Sequence, residues 1–477
     1  MPIPTQLNPR NPNDEETPLP VSDAAETTAG YWPVLKNKNF LALWVGQIFS
    51  QVADRIIFVV FISLIVYHFG ASDRYSSFLY IAFTIPAILL TAVAGVFVDR
   101  WPRKAVLMTT NLIRAALLAL IPWIATLTGG WAIYGVAFLI STATQFFTPA
   151  EAATIPDIVP KSNLLTANSL FTTTMMVAVI FGFALGDPLI NLFSLKQVHW
   201  AITLLFVLSS IAIMQLRLPK LNADKRTAQK KPGLNESFKR LLNEIAEGYD
   251  FIQQNPLVRN AMIKLALLFS TMVALCILFI SFAKTYLYED PLLASQKFAY
   301  IITFSGIGMA MGAFCLGNAF QHVRRSKLVY SGFIAVGAGL LLLTLTGLII
   351  KSQFPLSLSE LLSPIFQIEP IDFTWRMLYT YCLSMIMGVG AAFVAVPLQA
   401  VLQELIPEDK RGKVFGLQFT VLSTSSTLPV LLAGLAVEYS GVNALFCLIG
   451  FPLLIVGLFG LKYCLSKQGR EPAYANW

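Results

Sequence analysis

The sequence predicts an all-α membrane protein with twelve transmembrane helices in two six-helix pseudo-repeats, and three observations carry that prediction. The first is composition: 56% of the 477 residues are hydrophobic and 13% charged, with a mean hydropathy of +0.66, far from the balance of a soluble globular chain. The second is that apolar segments of about 20 residues, the length that crosses a bilayer, recur along nearly the whole chain. The third is a weak internal repeat on either side of a basic linker.

The spans fall at 40–67, 75–98, 105–127, 131–152, 164–190 and 199–216, and after the linker at 260–286, 298–320, 328–350, 377–403, 414–437 and 441–463. Only the turn signal Thr128, Gly129 and Gly130 parts the third span from the fourth. The resulting organisation is a tail at 1–38, a bundle at 39–218, a linker at 219–256, a second bundle at 257–465 and a short tail at 466–477. The first tail is polar and rich in proline, holds Asp14, Glu15, Glu16, Asp23 and Glu26 against Arg10, and reads as disordered and without a cleavable signal. In the linker a charged stretch through Pro232 and Gly233 gives way to an amphipathic helix. Leu234, Phe238, Leu241, Leu242, Ile245, Tyr249 and Ile252 share one face of it, which suits a helix lying along the membrane surface.

Cations assign the orientation. With the N-terminus in the cytoplasm, the inner segments collect Lys36 and Lys38; Arg100, Arg103 and Lys104; Lys161; Arg324, Arg325 and Lys327; Lys410, Arg411 and Lys413; and the linker cluster from Lys220 to Arg240. The outer segments hold scattered cations only. This bias predicts a multi-pass protein of the plasma (inner) membrane with both termini cytoplasmic. Its pI of about 9.1 is then explained by anionic lipids at the inner leaflet, and no nucleic-acid partner is needed.

The internal repeat pairs GVFVDRWPR at 95–103 with GNAFQHVRR at 317–325, an offset of 222, and PDIVPK at 156–161 with QELIPE at 403–408, an offset of 247. The difference between the offsets has a source: residues 352–373 form a long outer loop where the first half has only a tight turn. Duplicated halves meeting at a midplane site are a transporter design.

Charge inside such helices is costly, about 3 kcal/mol at the bilayer centre on insertion scales, and so points to a pathway. Asp54 lies about 21 Å along the first span, near mid-membrane. Gln47, Ser50 and Asp54 share a face at i, i+3, i+7 spacing. Asp54 is read either as a proton- or substrate-handling acid or as one end of an ion pair with Arg55 or Arg114 that orders the bundle. Arg114 either pairs with an acid or binds an anionic substrate group, and Asp187, near the outer end of the fifth span, is a further candidate. Lys264 is read as snorkelling to the surface. Glu151 and Asp157 are assigned to the inner loop between the fourth and fifth spans, as partners of the basic loops.

Enzymatic chemistry finds no foothold. Cys276, Cys315, Cys382, Cys447 and Cys464 are dispersed without C-x-x-C spacing, and His68, His199 and His322 are equally scattered, so neither a metal nor another cofactor is expected. No G-x-x-x-x-G-K-[ST] loop occurs, which leaves an ion gradient as the energy source.

GVFVDRWPRK resembles the G-x-L-A-D-R-x-G-R-K signature between the second and third helices of the major facilitator superfamily, keeping Gly95, Asp99, Arg100, Arg103 and Lys104. GQIFSQVADR at 46–55, PAEAATIPDIVPKSNLLTANSL at 149–170, EGYDFIQQNPLVR at 247–259 and IPEDKRGKVFG at 406–416 are similar to the drug and siderophore exporter branch, which includes macrolide efflux pumps and the enterobactin exporter. GFALGDP at 182–188 departs from the G-P-x-x-G-G pattern of antiporters at Phe183 and Asp187. The resemblance implies a proton-coupled exporter of amphipathic small molecules working by alternating access, monomeric, with a small-molecule substrate, protons and membrane lipids as partners. Uptake or lipid flipping on the same fold, or a non-transporting membrane sensor, are the alternatives. It also sets the eleventh helix beside the second, so that Asp99 would face the helix N-terminus at Arg411, Gly412 and Lys413. Gly95 would allow close approach there, and Arg100, Arg103 and Lys104, with the repeat counterpart Arg325, would meet Glu151, Asp157 or Glu408 only when the cytoplasmic side is closed.

Overall fold

Asn37 starts the first spanning helix: its Oδ1 accepts from the backbone N–H groups of Asn39 and Phe40 at 3.0 and 3.3 Å, an N-cap that satisfies two otherwise orphaned donors. Its Nδ2 donates to the Ile158 carbonyl at 2.7 Å, which ties the start of one helix to the end of another 121 residues away. The computed structural model describes residues 31–70, 72–98, 101–160, 163–218, 243, 246–318, 323–348 and 374–466.

Within these the spanning helices are α1 (Lys38–Phe69), α2 (Asp73–Val98), α3 (Arg103–Thr128), α4 (Ala132–Ile158), α5 (Leu164–Phe193) and α6 (Val198–Met214) in the first half. The second half has α7 (Pro256–Phe282), α8 (Ala299–Asn318), α9 (Arg325–Leu343) and α10 (Trp375–Leu405), with a short helix at Pro291–Lys297 between α7 and α8. The run Glu408–Ser466 breaks at Gly441, whose φ of 74° is a left-handed value that favours glycine, and so divides into α11 (408–440) and α12 (442–466). The twelve predicted spans therefore correspond to twelve helices. Gly129 and Gly130 make the predicted turn with φ of 59° and 93°. Residues 246–254 of the amphipathic segment are helical, with Ile252 buried and Tyr249 exposed. The remainder of that segment, the first tail and the 352–373 loop lie outside the described residues.

Length and apolarity alone suffice for a membrane crossing in seven helical stretches, and the shorter apolar stretches Arg74–Leu90, Val177–Phe193 and Val198–Met214 belong to α2, α5 and α6. α4 and α11 are more polar, and they turn Ser141, Glu151, Gln418 and Ser426 inward. Each half packs within itself: α3 against α4 and α6, α1 against α5 and α6, α8 and α9 against α10, and α9 and α7 against the α11–α12 run. Between halves, α2 meets α11, α5 meets α8, and α1 meets the short helix before α8.

The α8–α10 seam has no room for side chains at two glycines. A Cβ at Gly308 would strike the Met385 carbonyl, and one at Gly388 would strike the Ser305 carbonyl. Because both obstacles are backbone, neither can rotate away. Gly388→Val is expected to destabilise the protein by about 3 kcal/mol, at the upper end of overpacking losses, read as a lower melting temperature in detergent, whereas Gly95→Ala, with nothing within 4 Å of the added methyl, leaves it unchanged.

The repeat is visible in paired contacts. Arg103 opens α3 and binds Asp157 near the end of α4, with NH1 to Oδ2 at 2.5 Å; Arg325 opens α9 and binds Glu404 near the end of α10, NH1 to Oε2 at 2.5 Å. The two arginines are the pair matched at offset 222 and the two acids the pair matched at offset 247. Two alignments made separately thus meet in one duplicated ion pair.

Candidate functional site

Arg114 is the largest fully buried side chain in the structure. It projects from the middle of α3, where its NH1 donates to both oxygens of Asp54 at 3.1 and 3.2 Å, NH2 donates to Asn111 Oδ1 at 2.5 Å, and NH1 also reaches Thr144 Oγ1 at 3.4 Å. The rings of Phe147 and Phe206 stand 4.8 and 4.6 Å from its Cζ. A guanidinium between two aromatic faces and against a carboxylate has replaced most of its hydration with fixed partners. Of the two readings open for Arg114, pairing with an acid is the one the geometry supports, and no surface is left on it to meet a substrate.

Asp54 keeps 20% of its side-chain surface exposed while Arg114 has none. The acid is the accessible end of the pair. Behind it runs a polar relay wholly inside the first half: Ser50 Oγ donates to Asn111 Oδ1 at 3.4 Å, Asn111 Nδ2 to Ser209 Oγ at 2.8 Å, and Ser209 Oγ to the Gly46 carbonyl at 2.6 Å. Gln47 is fully buried and donates to the Phe171 carbonyl at 3.4 Å. Gln47 and Ser50 thus share a helix face with Asp54 but are turned into the packing against α5 and α3. Both are buried in this conformation.

Glu151 is also corrected. α4 continues through Pro149 and Pro156 to Ile158, so Glu151 and Asp157 are helical residues, where the sequence had suggested a loop. Glu151 is buried, its Oε1 has no hydrogen-bond partner, and its electrostatic neighbours are Arg114 and Asp54. It belongs with the buried pair. Asn111, Thr144, Phe147, Phe206 and Ser209 were not foreseen. Asn111 stands one helical turn before Arg114, and that i, i+3 spacing is the signal that would have found it.

At the end of the bundle that carries Arg103 and Arg325, each ion pair stays within its own half. The Arg103–Asp157 contact joins α3 to α4 of one half and so does not require the halves to meet, which corrects the reading that this pair forms only in the closed state. Lys104 donates from Nζ to the carbonyls of Met214 and Leu216 at 2.6 and 2.8 Å, where a cation completes the end of α6. Among the described residues no atom lies within 4 Å of a Cβ added at Gly95. Asp99 and Arg100 lie outside the described residues, as do the side chains of Glu408, Arg411 and Gly412, although those three residues sit in the first turns of α11.

At the opposite end, polar contacts between the halves are present among the described residues. Tyr300 OH on α8 donates to Asp187 Oδ2 on α5 at 2.9 Å, and Lys297 is a further electrostatic neighbour of that acid. Ser63 Oγ donates to the Ser295 carbonyl at 3.2 Å. Ser72 Oγ, and the Arg74 N–H at 3.3 Å, donate to Glu438. Asp187 therefore serves as a contact between halves near one membrane face. Lys264 bonds Tyr330 OH at 3.1 Å and lies over its ring.

Two packed six-helix halves, with a buried ion pair midway along the helices of one of them, define a membrane transporter. A model of the Major Facilitator Superfamily matches residues 43–363 and 356–474, and the chain belongs to that family. Among its relatives, macrolide efflux protein A of Streptococcus pyogenes is 24% identical over 423 residues, covering 88% of this chain and 94% of the relative. The multidrug efflux pump Tap of Mycolicibacterium fortuitum is 23% identical over 430 residues, covering 89% and 95%. The fold is similar to the nucleoside transporter NupG, with a TM-score of 0.61, 13% identity and coverage of 89% of this chain and 98% of that one, and to a bacterial homologue of ferroportin, with a TM-score of 0.59, 14% identity and coverage of 90% and 98%.

Proposed function

We propose that the chain is a proton-coupled exporter of amphipathic small molecules, working by alternating access in the plasma membrane with both termini in the cytoplasm. The observation that carries the reading is the Asp54–Arg114 pair: a carboxylate with partial exposure bound to a guanidinium with none. A proton arriving at Asp54 removes the negative end of that pair and leaves Arg114 with Asn111, Thr144 and Glu151 as its polar surroundings. Protonation and substrate occupancy can then bias the same two-state equilibrium, because each alters the electrostatics of α1 against α3. Asp99, as a gate acid at the start of α11, remains part of the proposal for the state closed at the basic end.

Contacts between halves at the Asp187 end and ion pairs confined within each half at the basic end suit a conformation open to the cytoplasm. The efflux functions named for two relatives favour export over uptake. In inside-out vesicles, an acid-inside gradient is expected to drive accumulation of amphipathic dyes, and a protonophore to collapse it. Accumulation that ignores the gradient would remove proton coupling, and binding without counterflow would identify a sensor.

A further inference from the structure

Arg55 follows Asp54 on α1, yet it is placed quite differently from Arg114. It borders the seam between halves: its electrostatic neighbours are the adjacent Asp54, Tyr80 on α2 and Cys276 on α7, and Tyr80 in turn bonds Ser426 on α11. Among the described residues no ion pair and no hydrogen bond reaches its guanidinium, and its Nε is buried without a partner. Asp54 acts on it only through space, and the hydrogen bonds of that carboxylate go to Arg114. Glu151 has Arg114 and Asp54 as electrostatic neighbours and not Arg55.

The chain nevertheless makes space for this side chain. A Cβ at Gly182 of α5 would meet Arg55 Cγ at 2.9 Å, so only glycine there admits the arginine stem. Beside it, one turn further along α1, Phe58 packs at 6.4 Å from the Tyr80 ring, 6.1 Å from Phe83 and 6.2 Å from Phe183. A half-buried guanidinium to which no acid is bound among the described residues thus borders an aromatic surface, where the two halves meet. An ionisable group inside a membrane bundle normally has a partner, and five fixed N–H donors suit a planar carboxylate.

We propose that Arg55 is the anchor for the acidic group of the transported molecule, so that this exporter takes amphipathic organic carboxylates, with Phe58, Tyr80 and Phe83 bordering the apolar body. The inference rests on the exporter reading for its biological sense, but the binding site is testable apart from it. The anion source is a small molecule in the pathway; an anionic lipid headgroup is the competing source.

Three probes share one aromatic body: naphthaleneacetate, naphthaleneacetamide and naphthylethylammonium. Binding to the full-length protein in phosphatidylcholine nanodiscs is followed by tryptophan fluorescence. The wild type is expected to bind the carboxylate at least about tenfold more tightly than the amide, a difference of about 1.4 kcal/mol, and to bind the ammonium most weakly. Arg55→Gln should erase the carboxylate preference, Arg55→Lys should restore part of it, and Lys264→Gln should retain it in full. The wild-type series tests the same point if Arg55→Gln fails to fold. Equal wild-type affinities, a preference that survives Arg55→Gln, or loss of carboxylate binding when phosphatidylglycerol is included would each overturn the proposal. If no probe is moved by a proton gradient while the carboxylate preference stands, the exporter reading fails and the Arg55 site survives; proton-driven transport of the amide or ammonium with no carboxylate preference does the reverse.

Discussion

Asp54→Asn is expected to reduce proton-driven export to the level seen without a gradient, while counterflow of labelled substrate continues. The amide has nearly the volume of the carboxylate and can still accept from Arg114 NH1, now 3.1 Å from Oδ1, but it cannot take up or release a proton. The variant also leaves a fully buried arginine without its counter-charge, and breaking a buried pair from one side costs about 3–5 kcal/mol. A loss of activity could therefore reflect poor folding. The neutral pair Asp54→Asn with Arg114→Gln separates the two effects, because removing both charges removes the unpaired one: its melting temperature is expected to recover most of the loss, while gradient-driven export stays absent. Proton-driven export in either variant at the wild-type rate would take Asp54 out of the coupling mechanism.

Much of this architecture could be read from the chain because the bilayer imposes a simple rule on sequence. Twelve apolar segments, with Gly129 and Gly130 parting the third from the fourth, gave helix positions within a few residues, and the two repeat offsets matched Arg103 with Arg325 and Asp157 with Glu404, although neither offset said that these residues pair. The partners of the buried charges were harder. Asp54 and Arg114 are 60 positions apart, and no periodicity within α1 or α3 says which faces meet. Arg55 would have been as good a partner for Asp54 on the sequence alone, yet adjacent residues on a helix point about 100° apart, and packing sends Arg55 to α5 and α7 instead. Glu151 was misplaced because Pro149 and Pro156 resemble the end of a helix. Inside a bundle, neighbouring helices can accommodate such prolines, and α4 runs through both. The contacts between halves were legible least of all. Asp187, Tyr300, Ser63, Ser295 and Glu438 carry no motif, and under the proposed alternating access their meeting depends on which conformation the protein occupies.

That dependence makes Tyr300→Phe the most informative change at the closed end. Asp187 is only 3% exposed, and the second half presents to it the hydroxyl of Tyr300 at 2.9 Å and the charge of Lys297. If the halves part there, both contacts are lost and water takes their place, so the hydroxyl contributes differently to the two states, as a conformational switch requires. Phenylalanine keeps the ring and removes the Tyr300 donor from Oδ2 in the closed state only, leaving Asp187 with Asn191 of its own helix and the charge of Lys297. A hydrogen bond to a charged group contributes about 1.5–3 kcal/mol, which corresponds to a population shift of about tenfold to a hundredfold toward opening at this end. Ser63 supplies the reporter, because it is fully buried against Ser295 in the present conformation. With the five native cysteines replaced and Ser63→Cys introduced, Tyr300→Phe should raise the rate of labelling by a membrane-impermeant maleimide at least about tenfold. Tyr379→Phe, whose hydroxyl bonds the Leu342 carbonyl inside the second half at 2.7 Å, should leave that rate unchanged. Equal labelling in the two variants would mean that the Asp187–Tyr300 contact follows closure without holding it, and the latch would then have to lie with Ser72, Arg74 and Glu438.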